Sequence, residues 1–294
     1  MICSSDIWGK GVIVIHLEDL KKTYGDTVAV ADLSLKISSG EVFGLLGPNG
    51  AGKTTTVSMA AGLLRPDSGR VDIGGKGSPE NPEVRRLIGI APQAIALYDE
   101  LTAEENLFFF GRLQQLHGTY LKNRVEESLD FVGLIDRKRD RAGIFSGGMK
   151  RRLNLAAALI HQPKVVFMDE PTAGVDPQSR NALFDNVTLL KNSGVTILYT
   201  THYMEEAQKL CDRVAIVDHG RLIALGTVNE LIAAHGGKSV VIAEREDRQF
   251  RIETNDPVGE LVRLQNGGNL QRFSVESPTL ENVFLTLTGR SLRD

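Results

Sequence analysis

Eight consecutive residues, Gly47-Pro48-Asn49-Gly50-Ala51-Gly52-Lys53-Thr54, fit the spacing G-x-x-x-x-G-K-[ST] at every fixed position. The residue types suit phosphate binding. Glycines let successive backbone N–H groups curl around anionic oxygens where side chains would block approach. A helix opening at the end of the loop adds its positive terminus. The Lys53 ammonium can reach the outer phosphates of a triphosphate, and the Thr54 hydroxyl can ligate Mg²⁺. The bland alternative is a chance glycine-rich turn. A strand-like run at 42–46 before the loop and a helix-like stretch at 55–64 after it argue against that.

A second constellation ends the apolar run Val165-Val166-Phe167-Met168 in two carboxylates, Asp169 and Glu170. Asp169 at a strand tip suits a Mg²⁺-side role through a coordinated water, and Glu170 could polarise an attacking water. Alone, the pair could equally be an acidic helix cap before Pro171; beside a phosphate loop, catalysis is the better reading. A third stretch, Phe145-Ser146-Gly147-Gly148-Met149, precedes Lys150-Arg151-Arg152 and an apolar segment reaching 160. Its serine and glycines form a helix start with free N–H groups, a second anion site. Such starts are common, so its weight comes from its place 23 residues before Asp169. Three single residues join the candidates. Tyr24 could be packing or a base platform. Gln93 opens a loop after 88–92. His202 follows the strand-like run 196–200, where a lone histidine is usually structural.

These residues need a scaffold. Short Val/Ile/Leu/Phe runs at 42–46, 88–91, 165–168, 196–200 and 214–217 suit strands buried on both faces. They alternate with helical stretches such as 178–191 and 204–210, which predicts an α/β fold with a largely parallel sheet. The segment at about 97–161 carries helical periodicity and few strand signals, so it reads as an inserted helical subdomain. After about 231 the pattern changes. Ala233-Ala234-His235-Gly236-Gly237 reads as a helix end and linker, 239–244 and 249–254 as paired strands, 257–264 as a helix and 270–276 as a strand. Ser277-Pro278 is expected to supply an N-cap and an N1 proline for a last helix bearing Leu280, Val283, Phe284 and Leu287. The expected organisation is an N-terminal extension at 1–14, a nucleotide-binding domain at 15–235 and a small α+β domain at 238–294.

Composition narrows the function classes. Of 294 residues, 41% are hydrophobic and 24% charged, which excludes wholesale disorder. Thirty-four basic against 37 acidic residues give a net charge of −3, and aromatics are only 6%, so no nucleic-acid partner is expected. The cluster Arg137-Lys138-Arg139-Asp140-Arg141 carries its own acid and reads as a solvated face. Two cysteines, Cys3 and Cys211, form no C-x-x-C pair, so a reducing compartment is expected. The longest apolar runs, such as 155–160, fall far short of the roughly 20 residues of a membrane span. The first ten residues contain Asp6 and no apolar stretch, so they do not read as a signal peptide. His16, His117, His161, His219 and His235 show no metal-site spacing.

The motifs, taken in order, resemble the nucleotide-binding subunit of an ATP-binding cassette (ABC) transporter over about residues 15–235. Residues 47–54 resemble its Walker A loop, Tyr24 the aromatic that stacks on adenine, and Gln93 the Q-loop glutamine. Ser146-Gly147-Gly148-Met149 resembles the signature motif. Asp169 and Glu170 resemble Walker B and its catalytic glutamate. Ala173-Gly174-Val175-Asp176 resembles the D-loop, and His202 the switch histidine. The chain departs from the usual LSGGQ signature at Phe145 and Met149, and from the usual D-loop leucine at Val175. The methionine form of the signature resembles drug, lipid and polysaccharide exporters, including the daunorubicin-resistance branch. So does the tail Ser277-Pro278-Thr279-Leu280-Glu281-Asn282-Val283-Phe284 with Leu287-Thr288-Gly289-Arg290.

The resemblance implies a P-loop NTPase core with an inserted helical subdomain. It implies ATP held by Tyr24, by residues 47–54 and by Thr55, and Mg²⁺ held by Thr54, Gln93 and, through water, Asp169. Hydrolysis would fall to Glu170, His202, Lys53 and Gln93. Ser146, Gly147 and Gly148 would serve the ATP of a second, head-to-tail subunit, with a homodimer expected. An integral membrane permease would be the other partner, holding a cytoplasmic chain at the membrane face. A soluble cassette ATPase of DNA repair or translation is the rival. Repair types carry a long coiled coil for which the distance from Gln93 to Ser146 leaves no room, and translation types usually carry two cassettes.

Overall fold

The computed structural model describes residues 11–245, 248–268 and 270–289. Cys3, the stretch read for a leader and Arg290 of the tail motif lie outside them. The chain forms two compact units, Met1–Leu225 and Gly226–Asp294.

The first unit opens with β1 (Ile13–Tyr24), β2 (Thr27–Ser38), β3 (Val42–Leu46), α1 (Lys53–Ala60) and β4 (Ser68–Ile73). It continues through α2 (Pro82–Arg85), β5 (Ile88–Ala91), α3 (Ala103–Leu113), α4 (Gly118–Phe131) and α5 (Gly147–Leu159). Then come β6 (Val165–Asp169), α6 (Pro177–Asn192), β7 (Thr196–Thr201), α7 (Met204–Leu210), β8 (Arg213–Asp218) and β9 (Arg221–Thr227). The main sheet has the order β5-β6-β7-β3-β8-β9, and the first five strands run parallel. Alternation sorts their side chains. Phe43, Leu45, Val165, Phe167 and Leu198 join one core with β1, β2 and α1, while Val42, Val166, Met168, Ile197 and Tyr199 join a second with α5 and α6. Burial on both faces is why these strands read as unbroken apolar runs. An antiparallel sheet β2-β1-β4 contributes Ile15, Leu17, Leu33 and Leu35 to the first core.

Helices α3, α4 and α5 form their own apolar cluster around Leu107, Leu129 and Leu153. A capping box fixes the start of α3, with Thr102 and Glu105 satisfying each other's backbone N–H. Buried Asn106 accepts from the Tyr98 N–H at 2.9 Å and donates to the Tyr98 carbonyl at 3.0 Å, which ties down the preceding loop.

In the second unit, α8 (Val228–His235) precedes β10 (Ser239–Arg245), β11 (Arg248–Thr254), α9 (Pro257–Asn266), β12 (Arg272–Glu276) and α10 (Leu280–Thr288). The strands form an antiparallel sheet β11-β10-β12, with Val241 and Ala243 buried against Leu264 of α9. Helix α8 packs on α10, so it groups with the tail rather than with the domain expected to end at 235. The last helix corrects one expectation. Its N-cap is Thr279, not Ser277, because the Thr279 hydroxyl accepts from the Asn282 N–H and the Asn282 side chain answers the Thr279 N–H. Pro278 therefore lies outside the helix. Among the described residues no helix is long and apolar enough to cross a membrane.

His161 joins the end of α5 to the start of β5, with its Nε2 at 3.0 Å from the Ile88 carbonyl oxygen. Burial pulls its pKa below the ordinary histidine value, partly opposed by that bond and reinforced by Arg124. The folded chain then binds fewer protons than the unfolded chain at and below about pH 6.5, so the site's stability is present above that pH and lost as pH falls. Urea unfolding at pH 7.5 and 5.5 should show a larger loss for the wild type than for His161→Gln. Equal losses would contradict the assignment.

Candidate functional site

The loop after β3 folds back on itself before α1 begins. Gly52 has φ of 95°, and a Cβ there would lie 2.2 Å from the Ala29 carbonyl oxygen. Both the left-handed backbone and the close approach demand glycine. Part of the loop and the start of α1 line a cleft of about 640 Å³. Tyr24, Asn49, Gly50, Gly52, Lys53, Thr54, Thr55, Gln93, Glu170 and His202 all line it, as do Ala29 and Ala173. Thus residues from the ends of five different elements or loops meet in one place, near the C-terminal ends of the parallel strands, where α/β sheets bind ligands. Tyr24, at the end of β1, is 51% exposed, and Lys22 Nζ stands over its ring, 5.9 Å from the centroid.

The floor of the cleft is electrostatic. Lys53 is only 4% exposed, and its Nζ donates to the carbonyls of Gly47 at 2.8 Å and Pro48 at 3.0 Å. The same ammonium lies 3.1 Å from Glu170 Oε1. On the other carboxylate oxygen, Gln93 Nε2 donates at 3.3 Å and His202 Nδ1 stands at 3.2 Å. Three candidates chosen separately from the sequence therefore converge on a fourth. Glu170 itself has φ of 44°, a left-handed conformation that costs a residue with a side chain roughly 1–3 kcal/mol and clusters at functional sites. Its N–H donates to Thr200 Oγ1 at 2.9 Å, and that hydroxyl donates to Asp169 Oδ1 at 2.6 Å. Asp169 is 4% exposed and is not among the residues that line the cleft.

Ser146, Gly147 and Gly148 do not line the cleft. Ser146 caps α5 by accepting from the Met149 N–H at 3.2 Å. A Cβ on Gly148 would lie 2.1 Å from Ser179 Oγ, so this glycine lets α5 approach the start of α6. Asp176 caps α6 by accepting from the Ser179 N–H at 2.9 Å, a bond that holds its carboxyl below the usual range.

Several contributors escaped sequence reading. Arg151 donates to the Gln93 carbonyl and, at 3.4 Å, to those of Pro92 and Ala173, which pins both loops beside Glu170. Burial lowers its pKa while Asp169 and Glu170 oppose that shift. In the sequence it was one member of a basic run. Buried Glu206 accepts from Thr172 Oγ1 at 2.7 Å, Tyr199 Oη at 2.9 Å and Thr201 Oγ1 at 3.0 Å. Burial first, and Glu206 second, push the Tyr199 hydroxyl well above its usual pKa. This network braces the segments on either side of His202.

Oxygen donors dominate the metal question. Among the described residues no three His, Cys, Asp or Glu side chains gather as a metal site. Thr54 and Gln93 line the cleft and Asp169 is buried at the end of β6, a sparse hard-oxygen set that suits Mg²⁺ shared with a phosphate ligand.

Comparison with known proteins agrees with this geometry. A family model described as "ABC transporter" matches residues 30–173. The linearmycin resistance ATP-binding protein LnrL of Bacillus subtilis (strain 168) is 42% identical, over 96% of this chain and 100% of that protein. The Nod factor export ATP-binding protein I of Sinorhizobium fredii (strain NBRC 101917 / NGR234) is 41% identical, over 97% of this chain and 89% of that protein. A solved structure of an ATP-binding subunit of an ABC transporter superposes with a TM-score of 0.68 at 31% identity, covering 76% of this chain and 93% of that one.

Replacing Thr200 with valine removes the donor to buried Asp169 and leaves the Glu170 N–H only its longer bond, 3.2 Å, to the backbone carbonyl at position 200. Urea unfolding should show a loss of about 1–3 kcal/mol, recovered in Thr200→Ser. A valine variant as stable as the wild type would contradict the bracing role.

Proposed function

The chain belongs to the ABC transporter family, and from that premise we propose that it binds and hydrolyses ATP to drive a separate membrane permease in export. The observation that carries this reading is the convergence of Lys53, Gln93 and His202 on Glu170 beside a phosphate loop. In this reading the triphosphate lies along residues 47–54 and Thr55, with adenine against Tyr24. Thr54, Gln93 and, through a water, Asp169 would hold Mg²⁺, which supplies charge neutralisation at the phosphates.

The chemistry follows from competition for Lys53. Phosphate oxygens accept from its ammonium and from the loop N–H groups, which draws Lys53 off the Glu170 carboxylate. Glu170, still held by its backbone bond to Thr200, then accepts a proton from the attacking water. Gln93 orients that water. His202 and Lys53 donate toward charge developing on the γ-phosphate.

The start of α5 in this chain lies off its own cleft, which supports a head-to-tail pair. Ser146, Gly147 and Gly148 of a second copy would close over the γ-phosphate, and the triphosphate would favour the closed pair because it touches both copies only there. Hydrolysis removes that bridge. Gln93 couples the cleft to the helical subdomain, since Arg151 of α5 grips its carbonyl and Asn154 of α5 donates to Pro92 at 3.3 Å. A permease docked on that subdomain would receive the motion and keep the chain at the cytoplasmic face of the membrane. Export is favoured because one relative is named for Nod factor export and another for linearmycin resistance. The repair or translation reading finds no comparable support.

Glu170→Gln keeps the shape and removes the base. Its steady-state ATP turnover should fall about 10²–10⁴-fold while ATP binding persists; undiminished turnover would remove Glu170 from this role. Lys53→Ala should abolish turnover in a phosphate-release assay. Normal activity in that variant would overturn the phosphate-loop reading.

A further inference from the structure

Strand β12 is an edge of the sheet in the second unit, bonded to β10 on one side. All five of its residues are exposed, including Phe273 at 64% and Val275 at 39%. These two side chains share the sheet face of Ala243 and Val241, their register partners on β10, which are themselves buried. The apolar face of the sheet thus runs out to an uncovered edge. Such an edge offers backbone donors and acceptors to another strand.

The charges select which strand. Edges that resist association carry charges that repel an incoming copy. Here Arg272 and Glu276 have opposite signs and stand at equal distance on either side of Ser274. A second β12 running antiparallel about Ser274 places Arg272 opposite Glu276 of the second copy, and the reverse at the other end. It also places Phe273 opposite the second copy's Val275, twice. Opposite charges and aromatic–β-branched pairs are the cross-strand partners that stabilise sheets. Within the chain Glu244 already stands beside Arg272 in register, so the row across the junction alternates in sign: Glu244, Arg272, then Glu276 of the second copy. Arg251, 3.5 Å from Glu276, adds a further positive charge on that face. A slip of one residue would turn Phe273 to the polar face and break both charge pairs, which pins the register.

We propose that β12 is a homotypic docking edge: two copies of this chain pair their β12 strands antiparallel about Ser274, joining two three-stranded sheets into one of six. The contact uses no residue of the nucleotide cleft, so it forms without ATP and stands or falls apart from the proposed ATPase cycle.

The test uses the full chain in EDTA without nucleotide. Under mild oxidation Ser274→Cys should give a covalent dimer whose linked peptide joins position 274 to position 274. Glu253→Cys, on the opposite edge strand β11, should not link to itself. Sedimentation should show self-association weakened about tenfold by Arg272→Glu or by Glu276→Arg, because like charges then face each other. The double variant Arg272→Glu/Glu276→Arg should restore it. Circular dichroism and ATP turnover unchanged from the wild type would show that each variant folds. A folded Ser274→Cys chain without the 274–274 link would overturn the proposal. So would a double variant no better than the singles, or a wild type that stays monomeric.

Discussion

A lysine ammonium and a glutamate carboxylate, both buried and 3.1 Å apart, tie the phosphate loop to the end of β6. Burying either charge alone is costly, and removing one member strands the other. The pair therefore belongs together as a unit, yet its two halves come from different parts of the fold. Lys53 opens α1 and Glu170 follows β6, so whatever competes for the ammonium loosens one loop from the other. An anion rich in oxygen acceptors is the natural competitor. Phosphate binding as proposed would thereby free the carboxylate.

The rest of the first unit keeps that pair in place. Parallel strands β6, β7 and β3 bring the two loops side by side, and two apolar cores clamp the strands from both faces. Thr200 bridges Asp169 and the Glu170 N–H, holding a left-handed residue that relaxed backbone would avoid. On the far side of Glu170, Gln93 reaches the carboxylate through its side chain and α5 through its carbonyl. A change at the carboxylate thus has a short covalent and hydrogen-bonded route into the helical subdomain. Glu206 plays the matching part for the segment bearing His202, with three hydroxyl donors around one buried carboxylate.

The tight loop before α1 could be read from sequence because its left-handed backbone and close approach to Ala29 demand glycine at a fixed place. The parallel strands could be read because burial on both faces leaves an unbroken apolar run. Other features carried no such mark. The antiparallel sheet of β1, β2 and β4 mixes charged and apolar residues, and its register shifts between Leu17 and Leu20 and again beyond, which blurs alternation. Arg151 looks like any member of a basic run until its partners, carbonyls 58 and 22 residues away, are known. Thr200 and Thr201 end a strand that also begins with a threonine, Thr196, and nothing local distinguishes a bracing hydroxyl from a filler. Ser277 and Thr279 are both good caps by type; only the reciprocal bond with Asn282 decides between them.

In the proposed cycle one triphosphate is shared between the Lys53 cradle of one copy and the Ser146 helix start of another. Mixing two inactive variants, Lys53→Ala and Ser146→Arg, tests it directly. A mixed pair unites an intact cradle from one chain with an intact helix start from the other, so ATP turnover should reappear on mixing. Turnover that stays at the sum of the two separate variants would contradict the account.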